Sequence, residues 1–199
     1  MTIKVNGEVV DVKTEGLGRF SDLIELIKTM IDPEHMITSI TIDGADVKEE
    51  DWQRSLSTFS ETSVLEIETA RPSEFVTSRM TLVPEIIKNC CEDFKEAREN
   101  FEAGRSRKGN EMLIQAVQTL QVFIEWYSAI LELVPIDQRD EYDISEPINQ
   151  LTETCKKLCQ HQLYQSWWAL SQTLGQDLEP KLSELEALTR SFSKAEQRE

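Results

Sequence analysis

The sequence predicts an α+β protein, in which a small strand-rich domain is followed by an antiparallel bundle of three or four long helices. Two observations carry this prediction. Up to about residue 70, apolar residues alternate with polar ones, which is typical of strands. From about residue 73, apolar residues recur every three or four positions, which is typical of amphipathic helices. We therefore assign residues 1–70 to the first domain, residues 73–192 to the bundle and residues 193–199 to a frayed polar tail.

The first domain carries the signals of a hairpin, a helix and two further strands. Asn6-Gly7 joins two short alternating runs, and this dipeptide is a strong hairpin signal. Ser21 is the candidate N-cap of a helix that stops at Asp32-Pro33. A third strand ends at Asp43-Gly44, and residues 64–68 form the last one. The expected order is strand, strand, helix, strand, strand.

This order resembles the β-grasp, or ubiquitin-like, plan. The segments IKVNGEVVDV, ITIDGADVKEEDW and TSVLEIETA look like the small sulfur-carrier proteins of thiamine biosynthesis. Sulfur carriers act through a free C-terminal Gly-Gly, whereas here the last strand runs on into Thr69-Ala70-Arg71-Pro72, and residues 198–199 are Arg and Glu. The resemblance, which covers about residues 1–70, therefore implies the fold and a compact binding surface without the carrier chemistry.

Prolines and glycines divide the second half into three helical stretches. Pro84 is expected to kink or restart the first stretch, which covers about residues 73–103. Residues 104–109, with two glycines and three basic residues, are expected to form a loop. The second stretch, residues 110–134, is apolar on two faces, which is typical of a helix that lies centrally in a bundle or contacts a partner.

The third stretch is expected to start near Ser145, where a hydroxyl, an acid and a proline follow one another. Leu163 and Trp167 lie on its predicted core stripe. Gly175 and Pro180 are expected to bend it.

The chain of 199 residues has 21 basic and 37 acidic side chains, which gives a net charge of −16. Such a chain is repelled by phosphate backbones and by anionic membranes, so we expect no nucleic-acid partner and no membrane partner. The first residues lack the pattern of a signal peptide, and no apolar run reaches about 18 residues. The four cysteines are not spaced as a disulfide framework. These features predict a cytoplasmic protein with reduced thiols.

The cysteines are the best candidates for a metal site. Cys155 and Cys159 are four residues apart and share one helix face, whereas His161 lies off that face. Structural zinc needs four ligands, and Cys90 and Cys91 could complete the set only if the helices align them. Packing as small apolar side chains is the favoured interpretation, and we expect no metal and no cofactor. Since no catalytic motif is found either, we expect that the protein is not an enzyme.

Two aromatic clusters and one basic cluster are candidates for partner binding. Aromatic side chains are enriched at binding hot spots. Neighbouring tryptophans on a helix point about 100° apart, so Trp167 can be in the core while Trp168 is at its rim. The basic cluster either grips an anion or an acidic domain of a neighbouring subunit, or is simply solvated. The candidate residues are Trp126, Tyr164, Trp168, Arg105, Arg107 and Lys108.

These features predict a non-catalytic protein-interaction module that acts as an adaptor, an assembly subunit or a regulator. Its partner is expected to be another protein or a second copy of itself. The first alternative is an export or assembly chaperone that binds an amphipathic segment, by analogy with small acidic helical bundles of that class. The second alternative is a sulfur-transfer accessory protein, suggested by the β-grasp resemblance and the four thiols.

Overall fold

The computed structural model describes residues 1–192 and shows a mixed α+β chain, with an N-terminal five-stranded sheet and one helix followed by six further helices. The chain divides into two compact units after Phe75. The predicted tail, residues 193–199, lies outside the described residues. Each helix within residues 1–192 is too short or too polar to cross a membrane.

The sheet of the first unit has the strand order β2-β1-β5-β3-β4. β1 and β5 run parallel, and the other neighbouring strands are antiparallel. β4 is absent from the predicted order because two residues are too few to show an alternating pattern. The strands are β1 (Thr2–Val5), β2 (Glu8–Val10), β3 (Met36–Ile42), β4 (Ala45–Asp46) and β5 (Val64–Ala70).

The β1–β2 hairpin is confirmed at Asn6-Gly7, whose φ angles of 50° and 80° are those that a two-residue hairpin turn needs. Helix α1 (Phe20–Lys28) begins earlier than predicted. Arg19 is its N-cap residue, and the Arg19 backbone N–H donates to Asp22 Oδ2 at 2.9 Å. The prediction of Ser21 as N-cap is therefore wrong, because the carboxylate at the third helical position caps this end instead.

α1 and the sheet share one hydrophobic core. The helix contributes side chains at the spacing of one helical face, and the strands contribute three more. The rings of Trp52 and Phe59 pack at 5.8 and 5.6 Å from the ring of Phe20. The fully enclosed members are Phe20, Leu23, Ile24, Ile27, Ile3, Leu65 and Ile67.

The second unit contains three helices of 20, 27 and 19 residues, two shorter ones, and the last five residues of α2, which begins before the unit boundary. α3 is central, because α4 and α7 pack along it and α6 also contacts it. Pro84 is the second residue of α3, so the expected restart is confirmed. The helices are α2 (Pro72–Met80), α3 (Val83–Glu102), α4 (Ser106–Glu132), α5 (Ser145–Leu163), α6 (Trp167–Thr173) and α7 (Glu179–Thr189).

The prediction of a loop over residues 104–109 is wrong, because α4 begins at Ser106. α3 gives way to a short turn at Gly104, whose φ is 73°. Gly109 is buried inside the first turns of α4, and a Cβ on it would lie 3.0 Å from the ring of Phe101. Gly109 therefore serves the close packing of α3 against α4 rather than a loop.

The third predicted stretch breaks after Leu163, where α5 ends. Gln165 adopts a φ of 54°, and the Ser166 N–H donates to the His161 carbonyl at 2.9 Å. The break leaves Leu163 77% exposed, so its prediction as a core residue is wrong. The bend expected near Gly175 takes the form of a π-helical segment, Leu174–Leu178, between α6 and α7.

Tyr127 of α4 anchors the connection to α5. Its buried hydroxyl donates to the Tyr142 carbonyl and accepts from the Ile144 N–H, and burial raises the pKa of this phenol. Tyr127→Phe keeps the ring but leaves both backbone groups unpaired, so we expect a loss of about 1 kcal/mol in the free energy of unfolding by urea. Tyr164→Phe removes an exposed hydroxyl and serves as the control, with an expected change below about 0.5 kcal/mol. Equal effects of the two substitutions would contradict this role.

Candidate protein-binding surface

Arg105 is held at the corner between α3 and α4 by a buried asparagine. Its Nε donates to Asn100 Oδ1 at 2.8 Å, and its backbone N–H donates to the Asn100 carbonyl at 2.9 Å. Asn100 is only 3% exposed, and its Nδ2 donates to the Glu96 carbonyl at 2.8 Å. Arg105 is therefore an exposed cation, and its hydrogen bonds to the buried Asn100 fix its position.

Arg107 and Lys108 lie exposed in the first turn of α4. Arg107 Nε lies 3.2 Å from Glu111 Oε1, and Lys108 has no ion-pair partner within residues 1–192. A helix N-terminus favours anions, so cations at this place work against the helix dipole. The dipole of α4 therefore does not explain Arg107 and Lys108, and Lys108 is available to an acidic group from another molecule.

The turn between α5 and α6 holds three large apolar side chains in solvent. Leu163, Tyr164 and Trp168 are each 77% exposed. The neighbouring Trp167 points inward and stacks on Phe101, with ring centroids 5.6 Å apart and ring planes 10° apart. The two adjacent tryptophans are therefore divided as expected, one against the core and the other in solvent.

The α3–α4 corner and the α5–α6 corner lie side by side. Gln162 Nε2 donates to Asn110 Oδ1 at 2.6 Å, and the stack of Phe101 on Trp167 joins the same two corners. The structure thus brings five of the six predicted binding residues to one end of the helical unit and adds Leu163. We call this surface the basic–aromatic end and define it as Arg105, Arg107, Lys108, Leu163, Tyr164 and Trp168.

Trp126 is not part of the basic–aromatic end. It stands 18 positions after Lys108 in α4, which is about 27 Å along the axis at 1.5 Å per residue. Its side chain is half-buried, with its ring 6.2 Å from that of Phe123. Packing on α4 accounts for this tryptophan.

The cysteines are buried or half-buried, except for Cys159, and all four are free. Burial raises the pKa of Cys90 and of Cys155 to about 11, and the nearby Cys159 adds to the effect on Cys155. Burial also raises the pKa of Cys91. Such thiols stay protonated at neutral pH and are weak nucleophiles and weak metal ligands. Within residues 1–192, no three His, Cys, Asp or Glu side chains are grouped so that they could hold a metal ion.

Two shallow grooves run beside α4. The larger encloses about 520 Å³ and is lined mainly by polar side chains, with Met112 and Val122 as its apolar members. The smaller encloses about 230 Å³ between α4 and α5 and includes Ile124, Leu131 and Ile148. An amphipathic segment needs a continuous apolar floor, so the basic–aromatic end is the better candidate for a docking surface.

Sequence reasoning missed Leu163, because its spacing to Trp167 and Leu170 is that of one continuous helix. The exposure of Leu163 follows from the break at residues 164–166, and these three residues include no glycine or proline that would predict a break. Comparison with known protein families, with curated proteins and with solved structures finds no match for this chain.

Proposed function

We propose that the protein is a non-catalytic interaction module whose helical unit docks a protein partner through the basic–aromatic end. The observation that carries this proposal is the triplet Leu163, Tyr164 and Trp168, held in solvent by a hydrogen-bonded turn. Three such side chains expose on the order of 400 Å² of mostly apolar surface, a size at which patches on monomers are often functional. The adjoining cations add a preference for an acidic partner.

We further propose that the first unit has a β-grasp fold and that the second is an antiparallel helical bundle. The central parallel β1–β5 pair, the antiparallel strands outside it and the core shared with α1 support the β-grasp proposal. The close packing of Gly109 against Phe101, where α4 turns back along α3, supports the bundle. Free cysteines are compatible with action in the reducing cytoplasm, which we propose as the site of action.

The proposed function is tested by photo-crosslinking with the full chain in cells that produce it naturally. A benzophenone amino acid replaces Tyr164 in one variant and Trp168 in another. We expect each variant to form a protein adduct of discrete mass on irradiation, because these side chains would lie in the interface. The yield should fall when Arg105, Arg107 and Lys108 are all changed to Gln.

The control places the same amino acid at Val9, which is 69% exposed on β2 in the other unit. Val9 is expected to give no adduct of that mass. The proposed function is wrong if neither the Tyr164 nor the Trp168 variant gives an adduct, or if the Val9 variant gives an adduct of the same mass.

A further inference from the structure

The far end of α4 has the opposite charge and its own exposed apolar side chains. The 3-10 turn Ile136–Tyr142 and the start of α5 lie there. Ile136 is 82% exposed and Leu133 is 37% exposed. The acidic residues between positions 136 and 146 are Asp137, Asp140, Glu141, Asp143 and Glu146.

One basic residue, Arg139, lies within the acidic segment, and its guanidinium is hydrogen-bonded to backbone carbonyls. Arg139 Nε donates to the Val134 carbonyl at 3.1 Å, and its Nη2 donates to the Glu132 carbonyl at 3.3 Å. The carboxylates around it therefore have no strong cationic partner in this turn. We call this surface the acidic–aliphatic end and define it as Leu133, Ile136, Asp137, Asp140 and Glu141.

We propose that the partner of the basic–aromatic end is the acidic–aliphatic end of a second copy of the chain, so that helical units associate head to tail. This inference rests on the proposed function and names its partner. The two ends match in charge and both present exposed apolar side chains. α4 has 27 residues, so it separates them by about 40 Å. A single unit therefore cannot join its own two ends.

Charge also decides how two copies face each other. A symmetric contact between two basic–aromatic ends would bring Arg105, Arg107 and Lys108 of one copy against the same cations of the other. A contact between two acidic–aliphatic ends would oppose carboxylates in the same way. Only unlike ends attract, so the interface is heterologous and generates a ring or an open chain.

The contact is expected to be weak and sensitive to salt. Its apolar patch of about 400 Å² is near half of the ~800 Å² per partner that stable interfaces bury. The net charge of −16 adds a general repulsion between copies. We expect association in the micromolar range at about 0.15 M salt, where a Debye length of about 8 Å screens the long-range repulsion between copies more than the contact between the two ends. Association should be lost near about 1 M salt, where the attraction between the exposed ends is screened as well.

The test uses sedimentation velocity on the purified full chain and two variants. The first variant carries Tyr164→Ser and Trp168→Ser, and the second carries Ile136→Ser, Asp140→Asn and Glu141→Gln. Each changes exposed side chains at one end only, and circular dichroism checks that both remain folded. We expect wild type to associate and each variant alone to lose at least about tenfold in association constant.

Mixing the two variants gives the decisive result. The first variant keeps an intact acidic–aliphatic end and the second an intact basic–aromatic end, so an equimolar mixture should form a one-to-one complex and grow no further. A wild type that stays monomeric at about 0.15 M salt would overturn the proposal. It is also overturned if the second variant associates as wild type does, or if the mixture forms no complex.

The photo-crosslinked adducts at Trp168 separate this proposal from the proposed function. An adduct of two copies of the chain, which mass spectrometry joins to residues 133–141, supports both. An adduct with a different protein, together with a monomeric wild type, supports the proposed function and overturns head-to-tail association. The absence of any adduct overturns the proposed function, and a monomeric wild type then overturns the head-to-tail proposal as well.

Discussion

Replacing Arg98 by Met is expected to lower the free energy of unfolding of the helical unit by about 2–3 kcal/mol. Arg98 Nε donates to Glu179 Oε1 at 2.6 Å, Nη2 donates to the second oxygen at 3.4 Å, and Nη1 donates to Glu102 Oε1 at 2.8 Å. The Arg98 and Glu179 side chains are only 20% and 17% exposed. Removal of the guanidinium leaves a mostly buried carboxylate without its partner, which costs about 3–5 kcal/mol in fully buried pairs and less here.

The pH dependence of unfolding gives a second readout of the same contact. The hydrogen bond from Arg98 holds the pKa of Glu102 below its usual 4.5. A carboxyl with a lowered pKa in the folded protein contributes stability above the unfolded pKa, and this contribution is lost as the pH falls through the folded value. Wild type should therefore lose more stability than Arg98→Met on acidification below about pH 4.5.

Lys88→Met is the matched control for the loss of one cation from α3. Lys88 Nζ lies 3.9 Å from Glu85 Oε1, and the two side chains are 49% and 67% exposed. An exposed pair of this kind contributes about 0–1 kcal/mol. Urea unfolding at several pH values from neutral to acidic gives the free energy of unfolding of wild type, Arg98→Met and Lys88→Met. Equal losses of stability in the two variants would contradict a special role of Arg98.

Gly109→Ala is expected to destabilise the helical unit by about 1–2 kcal/mol, although alanine is the better helix former by about 1 kcal/mol. The new Cβ would lie 3.0 Å from Phe101 Cδ1 and 3.1 Å from its Cγ and Cε1. Phe101 also stacks on Trp167, so a displacement of the phenyl ring is passed on to the α5–α6 corner. Urea unfolding followed by tryptophan fluorescence measures the stability and the change at this corner.

The Phe101→Leu background isolates the steric cause. Leucine lacks the ring atoms that the new methyl group meets, so the cost of Gly109→Ala should become much smaller in that background. This comparison forms a double-mutant cycle with an expected interaction of about 1 kcal/mol or more between the two sites. If Gly109→Ala stabilises the wild-type background, as it does in exposed helices, the packing argument is wrong.

Elements with local signals were predictable from the sequence. Asn6-Gly7 supplies the positive φ angles of its turn, and Pro84 can stand only near a helix start. The predicted start near Ser145 agrees with the first residue of α5. In each case the chemistry of one or two residues restricts the backbone, whatever lies around them.

Elements that depend on distant contacts could not be predicted in this way. The sequence indicates a loop at Gly109, because the phenyl ring that needs the missing side chain comes from another helix. The break after Leu163 contains no glycine or proline, and Gln165 adopts a left-handed φ that a glutamine rarely takes.

The candidate surface was predictable residue by residue except for Leu163, but it was not predictable as a surface. Helical spacing alone points Trp168 away from Trp167. The meeting of the two corners depends on the hydrogen bond from Gln162 to Asn110 and on the aromatic stack, which join residues more than fifty positions apart. Sequence spacing carries no information about pairs at that separation.

The π-helical segment Leu174–Leu178 joins α6 to α7, and it sets how far the faces of α6 are rotated about the helix axis relative to those of α7. A π turn accommodates about one residue more than an α turn, and each residue advances a helix by about 100°. The Arg98 side chain packs over this segment, because a Cβ on Gly175 would lie 3.0 Å from Arg98 Cδ. Deleting one residue here would turn α6 by about a quarter of a revolution relative to α7. Chain length at this segment therefore sets which face α6 presents relative to α7, and an insertion or deletion here would change the exposed side chains without any substitution at the surface.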